Sequence, residues 1–167
     1  MVETMPNRPQ QRKQNQMHKQ ILFLLASVLM LASCNGSTLM HSYQPMNNNC
    51  WDRTDTITFD LPPMTTDDKC NLIIGLRVTN HFPYEVLILE IEQNYQNPMA
   101  HRTDTIKYPL TDKSGDFEEK GINYFQFETQ SLPLYLKKGQ SGEIKIRHLM
   151  HKEEVPGIMD VGIHITH

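Results

Sequence analysis

Hydrophobic and polar residues alternate over short segments through most of the chain after Trp51. In the first segment Ile57, Phe59 and Leu61 alternate with polar residues, and prolines end it. Side chains at a two-residue period point to opposite faces of a strand, so the segment predicts a strand with one buried face. The same period recurs in residues 70–78, 106–110, 124–127, 132–136, 144–146 and 161–165.

Residues 86–91 are apolar on both faces until Glu90, which predicts a central strand covered on both sides. After the N-terminal apolar run, no stretch of about 12 residues has the 3.6-residue period of a helix. Short strands separated by Pro, Gly and Asn turns predict an all-β protein. The expected fold of residues 51–167 is a single antiparallel β-sandwich, immunoglobulin-like or jelly-roll.

An uninterrupted apolar run occupies residues 21–31, and the letters LASC end at Cys34. The run has 11 residues, whereas a bilayer-spanning helix needs about 20. Small residues before a cysteine resemble a bacterial lipobox, so residues 1–33 are predicted to be a cleaved signal peptide and Cys34 the lipidated (palmitate-bearing) residue. The segment that begins at Met17 would by itself supply the short positively charged start of a signal peptide. Translation is therefore expected there, with residues 1–16 untranslated or a disordered leader.

Residues 35–49 are polar, rich in Asn and without a period. They predict that residues 34–50 form a lipidated flexible tether, with an r.m.s. reach of about 20 Å. On this expectation the domain floats just clear of the lipid headgroups.

Cleavage changes the charge of the protein. It removes four of the 16 Lys+Arg and one of the 19 Asp+Glu, which leaves a mature net charge of −6. This acidic balance argues against nucleic acid as a partner, since nucleic-acid binding needs basic patches. It also argues against electrostatic docking on anionic lipid, so the lipid is expected to be the membrane link.

Two cysteines remain after lipidation, Cys50 and Cys70. In an oxidising compartment an even pair suggests a disulfide, worth about 3 kcal/mol. A simple hairpin turning near Thr65 would leave the two cysteines far apart, whereas a disulfide needs Cα atoms within about 7 Å. A candidate disulfide and two separate buried thiols therefore both remain open.

No set of residues has the spacing of a catalytic or metal centre. His148 and His151, like His164 and His167, are three residues apart, which on a strand places them on opposite faces. They are expected to be solvated histidines near strand ends. Without a phosphate loop or nucleophile motif, the sequence predicts a protein that is not an enzyme and has no metal, cofactor or small-molecule substrate.

Two apolar turns are candidate partner-binding sites. Phe82, Pro83 and Tyr84 lie between two strong strand patterns, and Ile158 and Met159 precede the last strand. Exposed side chains on loops of a rigid scaffold often bind partners. The alternative is that these side chains plug the end of the sandwich, and two such turns at the same end would form one apolar patch.

Thr56 and Thr105 each follow an aspartate and precede an isoleucine at an expected strand start. The tripeptide resembles the Asp-Thr-aliphatic acceptor of a bacterial O-glycosylation system, which makes both threonines candidate O-glycosylation sites. The alternative is a turn closed by Asp and Thr.

Several sequence blocks together resemble the gliding-motility lipoprotein GldH family of the Bacteroidetes. The blocks are the motif at Cys34, Trp51 with residues 55–59 (DTITF), residues 76–80 (LRVTN), 82–87 (FPYEVL), 103–106 (TDTI), Leu110 with Gly115, residues 147–150, and 157–163 (GIMDVGI). The likeness covers almost all of residues 34–167.

The resemblance implies a non-enzymatic, lipid-anchored envelope protein that contacts proteins of gliding machinery or of the associated type IX secretion apparatus. In this phylum, surface-exposed lipoproteins tend to carry acidic residues soon after the lipidated cysteine, and here the first acid is Asp52. The domain is therefore expected on the outer membrane, facing the periplasm. The alternative function is glycan binding, for which Trp51, Tyr84, Tyr95 or Tyr124 should line one exposed face.

Overall fold

Strands dominate the computed structural model, which describes residues 38–111 and 124–167. The first six are β1 (Thr38–Pro45), β2 (Cys50–Asp52), β3 (Ile57–Leu61), β4 (Asp68–Thr79), β5 (Val86–Gln96) and β6 (Ala100–Pro109). The remaining five are β7 (Tyr124–Glu128), β8 (Leu132–Leu136), β9 (Ser141–His148), β10 (Glu154–Pro156) and β11 (Ile158–Thr166). One 3-10 turn, Asn47–Asn49, lies between β1 and β2. Within these two ranges no helix is long and apolar enough to cross a membrane.

The described strands pair antiparallel in three sheets. The first sheet has the order β1-β11-β4-β7, and β8 pairs with the other half of the β4 edge that β7 occupies. The second sheet has the order β3-β9-β5-β6, and β2 pairs with β10 in a small ribbon. The predicted all-β, antiparallel fold class is confirmed.

The inward faces of the two main sheets form one hydrophobic core. In β4 the side chains of Cys70, Leu72, Ile74, Leu76 and Val78 are all buried, as their alternation predicts. The second sheet contributes the predicted inward residues of β3 and β9 together with Leu87, Leu89 and Ile91 of β5. The two-residue period therefore identifies the core-facing side chains correctly.

The prediction that β5 is covered on both sides is wrong. The strand is central, between β9 and β6, but the first sheet covers only one of its faces. On the outer face Val86 is 39% exposed and Glu90 forms an ion pair with Arg147. Ile88 is shielded there by the loop after β9, whose Leu149 amide donates to the Ile88 carbonyl.

The prediction of a flexible tether over residues 34–50 is also wrong for most of that range. Residues 38–45 form β1, an edge strand paired with β11 from Thr38↔Thr166 to Pro45↔Asp160. The amide of Met46 extends the pairing to the Met159 carbonyl, 2.7 Å away. Positive φ angles at Asn48 and Asn49, which asparagine tolerates well, then turn the chain into β2. Residues 1–37, including the predicted signal peptide and Cys34, lie outside the described residues.

The side chain of Tyr43 packs on the outer face of the first sheet and so holds the edge strand β1 in place. It is paired with Gly162, and its ring extends over Gly75 on the next strand. A Cβ added to Gly162 would lie 2.6 Å from the Tyr43 ring, and one added to Gly75 would lie 2.1 Å from its hydroxyl oxygen. The guanidinium carbon of Arg77 lies 4.3 Å from the ring centroid, a cation–π contact that extends the clamp.

The loops gather at two ends of the sandwich. The Thr38 end, as we define it, consists of the start of β1, the end of β11 and the loops 62–67, 97–99 and 137–140. The Phe82 end consists of the turn 46–49, the loop 80–85, the loop 149–153 and Gly157. The register of β4 with β8 and β11 assigns each loop to its end.

The two thiols lie at opposite ends, and both are free. Cys50 pairs with Pro156 beside the Val78 end of β4, while Cys70 lies near the other end of the same strand. Eight residues of β4 separate Cys70 from Val78, about 26 Å at ~3.3 Å per residue. The candidate disulfide is therefore not formed, because a disulfide requires Cα atoms within about 7 Å.

Replacing Gly162 by alanine should detach β1, because the new methyl group meets the Tyr43 ring. The expected loss is ~1–3 kcal/mol of unfolding free energy, measured by urea denaturation of the mature protein. In a Tyr43→Ala background the same Gly162→Ala change should cost less, since the ring is absent and only the Ser42 carbonyl, 2.7 Å from the added Cβ, still obstructs the methyl group. Equal costs in the two backgrounds would contradict the clamp.

The thiols should react in sequence when the protein is treated with iodoacetamide. Cys50 is half-buried and Cys70 is buried. Burial raises the pKa of both thiols, and nearby carboxylates raise it further. Slow alkylation of Cys50 is expected in the native protein, with Cys70 reacting only after unfolding without reductant. An unfolded, unreduced chain that resists alkylation at both positions would indicate a disulfide.

Candidate functional site

The two predicted partner-binding turns meet at the Phe82 end. The Thr79 amide donates to the Gly157 carbonyl at 2.7 Å, and the Phe82 amide donates to the Thr79 carbonyl at 3.1 Å. A Cβ added to Gly157 would lie 2.6 Å from the Phe82 backbone. Gly157, at φ +87°, therefore permits the close approach of the two turns.

Only part of this predicted set is available to a partner. Phe82 (4% exposed) and Ile158 (0%) belong to the core, so their assignment as partner-binding side chains is wrong. Phe82 packs edge-to-face on Tyr84, with ring centroids 5.6 Å apart, and Ile158 pairs with Val78. Pro83 is exposed, and Tyr84 and Met159 are half-buried. The same two turns thus contain buried side chains that plug the end of the sandwich and outer side chains that are accessible to a partner.

Trp51 and His148 form the base of the same end. Trp51 is fully buried, and its indole Nε1 donates to the Asp55 carbonyl at 3.0 Å. The His148 ring packs edge-to-face on the indole, with centroids 5.5 Å apart. Its Nδ1 accepts a long hydrogen bond from the Met150 amide, and Nε2 has no hydrogen-bond partner among the described residues. His148 is 1% exposed, so the expectation of a solvated histidine is wrong here.

Arg53 organises the loop beside this pair. Its guanidinium donates to the carbonyl oxygens of Met150, His151 and Lys152. An arginine whose donors face three successive carbonyls holds the loop in one shape. The sequence offers no signal for this contact, because Arg53 lies about a hundred residues before the loop.

The aromatic side chains required for a glycan platform do not share one exposed face. Trp51 is fully buried and Tyr95 is 8% exposed. Tyr84 is half-buried against Phe82, and Tyr124 is exposed at the start of β7. Sugar-binding sites of this kind need aromatic rings that a ligand can reach, so this arrangement does not support the glycan-binding alternative.

Tyr95 belongs instead to a polar network inside the sandwich. Its hydroxyl donates to Gln93 Oε1 at 2.8 Å, and Gln93 Nε2 donates to Asp104 Oδ2 at 3.2 Å. Arg102 forms an ion pair with Asp104 at 2.7 Å. Burial raises the pKa of Tyr95 to about 12, so the hydroxyl keeps its proton and remains a donor. These linked bonds satisfy the polar groups of Gln93 and Tyr95, which β5 buries.

Thr56 and Thr105 are both exposed. Thr105 lies opposite Glu90 in the strand register, and Glu90 forms an ion pair with Arg147 at 2.7 Å. Arg147 lies one register position from the start of β3. The two threonines therefore lie at opposite edges of one row on the outer face of the second sheet. Thr105 lies within β6 and not in a turn, so the turn explanation fails for it. O-glycosylation of both stays a prediction.

The histidine pairs spaced by three do not converge. His164 stacks on His41 at 4.7 Å between ring centroids, whereas His167 pairs with Asp68 at 2.5 Å. Among the described residues one mixed group has metal-ligand atoms within 4.8 Å of one another: Asp68, Cys70 and His167. The close contact between Asp68 and His167 and the burial of Cys70 in the core account for this grouping without an ion.

Acidification should destabilise the domain through His148. Burial lowers its pKa below the ordinary 6.5. The unfolded chain therefore binds the proton at higher pH than the folded chain does. The contribution of His148 to stability is complete above 6.5 and is lost as the pH falls below that value toward the lowered pKa of the folded protein. Urea titrations across this window should show a smaller pH dependence in His148→Gln. The exposed control His151→Gln should match the unmodified protein, and an unchanged slope in His148→Gln would contradict this role.

The chain is similar to proteins of one family over its whole described length. A family profile described as GldH lipoprotein matches residues 38–165, which begin with β1 and end within β11. The gliding motility lipoprotein GldH of Flavobacterium johnsoniae is 25% identical over 154 residues, covering 85% of this chain and 92% of that protein. The match includes β1, the Phe82 end and the last strand. The chain belongs to the GldH lipoprotein family, an envelope lipoprotein family implicated in gliding motility.

Proposed function

We propose that this protein is a non-enzymatic, lipid-anchored adaptor or accessory subunit of gliding-motility machinery, or of the type IX secretion apparatus associated with it. The observation that carries the proposal is the family match over residues 38–165. The relative in Flavobacterium johnsoniae is named a gliding motility lipoprotein. The Phe82 end adds a surface on which an adaptor could hold a second protein.

The proposed anchor is Cys34, lipidated after removal of residues 1–33. The apolar run and the small residues before this cysteine support it. The proposed location is the outer membrane with the domain facing the periplasm, supported by the absence of acidic residues between Cys34 and Asp52. Protease treatment of intact cells should leave the domain uncut.

The proposed partner surface is the outer layer of the Phe82 end: Pro83, Tyr84 and Met159. These side chains rest on a rigid base formed by buried Phe82 and Ile158. A pre-formed apolar surface loses little conformational freedom when a protein binds it. Envelope proteins of the same assembly are the proposed partners.

Photo-crosslinking in membranes tests this surface. Protein carrying p-benzoylphenylalanine at Pro83 should form a discrete adduct with another envelope protein, identified by mass spectrometry. The matched control places the same group at Tyr135, which is exposed at the opposite end. Cys34→Ala should abolish both palmitate incorporation and the adduct at position 83. Identical protein adducts at positions 83 and 135 would contradict the proposed surface.

A further inference from the structure

The loops of the Thr38 end form one connected surface. The Met64 amide donates to the Gln140 carbonyl at 2.9 Å, and the Gly139 amide donates to the Met64 carbonyl at 2.8 Å. The side-chain amide of Gln140, which is buried, donates to the Pro98 carbonyl at 3.1 Å. Gln140 thus joins the loops 62–67, 97–99 and 137–140 into a rigid platform.

The two most exposed large hydrophobic side chains of the described residues lie at the Thr38 end, on or beside this platform. Met99, at the tip of the hairpin between β5 and β6, is 90% exposed. Tyr135, one residue from the end of β8, is 69% exposed. The other exposed large hydrophobic side chains among all described residues are only 39–43% exposed. Tyrosine is a side chain that prefers the interface between lipid and water.

Three lysines lie beside Tyr135. Lys69 pairs with Tyr135 across β4 and β8, and Lys137 and Lys138 follow β8 directly. All three are exposed. Acids are present at this end as well: Asp67 accepts a hydrogen bond from the Lys138 amide, Asp68 contacts His167, and Asp60 and Glu143 lie beside Met99.

Acids outnumber cations at the Phe82 end. Its described loops and ribbon carry the acids Asp52, Asp55, Glu85, Glu153 and Glu154. The cations beside them are Arg53 and Lys152, and Arg53 is bound to loop carbonyls. Exposed lysines therefore cluster beside Tyr135, whereas acids outnumber cations in the described loops of the Phe82 end.

Chain length determines which end faces the bilayer. Four residue steps separate Cys34 from Thr38, a span of at most about 14 Å. Each headgroup layer is roughly 6 Å thick, so Thr38 lies within about 8 Å of the headgroup surface once the acyl chains are inserted. The 12 residues of β4 extend about 40 Å from the Thr38 end to the other. Only the Thr38 end is held within reach of lipid.

We infer that the platform around Met99, Tyr135 and the three lysines rests on the leaflet that holds the Cys34 acyl chains. Met99 and Tyr135 enter the headgroup layer, and Lys69, Lys137 and Lys138 contact lipid phosphates. The inference rests on the proposed lipidation of Cys34. It fixes the orientation of the domain, with the Phe82 end projecting away from the membrane.

Lipid photo-crosslinking tests the orientation. The lipidated protein is reconstituted in phosphatidylethanolamine vesicles that contain radiolabelled phosphatidylglycerol, with p-benzoylphenylalanine at position 99, 135, 81 or 83. Positions 99 and 135 should give at least about tenfold more lipid adduct than positions 81 and 83, because lipid lies within reach of one end only. Palmitate incorporation is measured on the same preparations.

Charge variants supply a second readout. The double variant Lys137→Glu, Lys138→Glu should lower the lipid adduct at position 135 by at least about fivefold. The matched control, Lys152→Glu, changes an exposed lysine at the Phe82 end and should leave the adduct unchanged. Circular dichroism of each variant checks that the sheets are intact.

The outcomes separate the two proposals. Palmitate in the protein with lipid adducts at positions 99 and 135 supports both. Palmitate with equal adducts at all four positions, or with adducts at 81 and 83, overturns the orientation alone. A protein without palmitate overturns the anchor at Cys34 and the orientation with it.

Discussion

The pairing of β1 with β11 sets where the described domain begins, at Thr38 and at one end of the sandwich. It adds an edge strand to the first sheet and fixes it through Tyr43, whose ring lies across Gly162 and Gly75. Glycine at both positions is required because any Cβ would occupy the space of the ring. Gln44, from the same strand, donates to the Thr58 carbonyl of β3 at 2.6 Å and so joins the two main sheets along one side.

The same pairing has a consequence for location. A fifteen-residue flexible tether would let the domain turn freely above the membrane, whereas three residues between Cys34 and Thr38 would not. Under the proposed lipidation of Cys34, the strand would convert a point of attachment into an orientation. An oriented domain presents the Phe82 end at a fixed height, about the length of β4 above the headgroups.

The two ends are built differently, which fits different tasks. At the Phe82 end Trp51, Phe82 and Ile158 are core residues that support a thin outer layer. At the Thr38 end the loops are joined by the buried amide of Gln140, and large apolar side chains project outward. Neither end contains a constellation with the geometry of a catalytic site within the described residues. Under the proposed function, the protein acts by holding the surfaces of its two ends in fixed positions.

The sequence predicts the interior of the sheets well, because one face of each strand in residues 57–61, 70–78, 144–146 and 161–165 is buried and the alternation is visible. It does not reveal β1, since an edge strand packed on two glycines needs no apolar stripe. Nor does it reveal that Phe82 is buried. That depends on Gly157, distant in sequence, allowing close contact between two turns. Long-range contacts of this kind leave no periodic signal in a single chain.

Hydrogen exchange of the lipidated protein in membranes tests the central pairing most directly. Peptides from residues 38–45 should be protected to an extent comparable with peptides from β11, because the two strands share one ladder of hydrogen bonds. Tyr43→Ala should selectively reduce protection of residues 38–45. Exchange of residues 38–45 in the unmodified protein at the rate of an unstructured chain would contradict the account, since the domain would then hang from a long flexible tether.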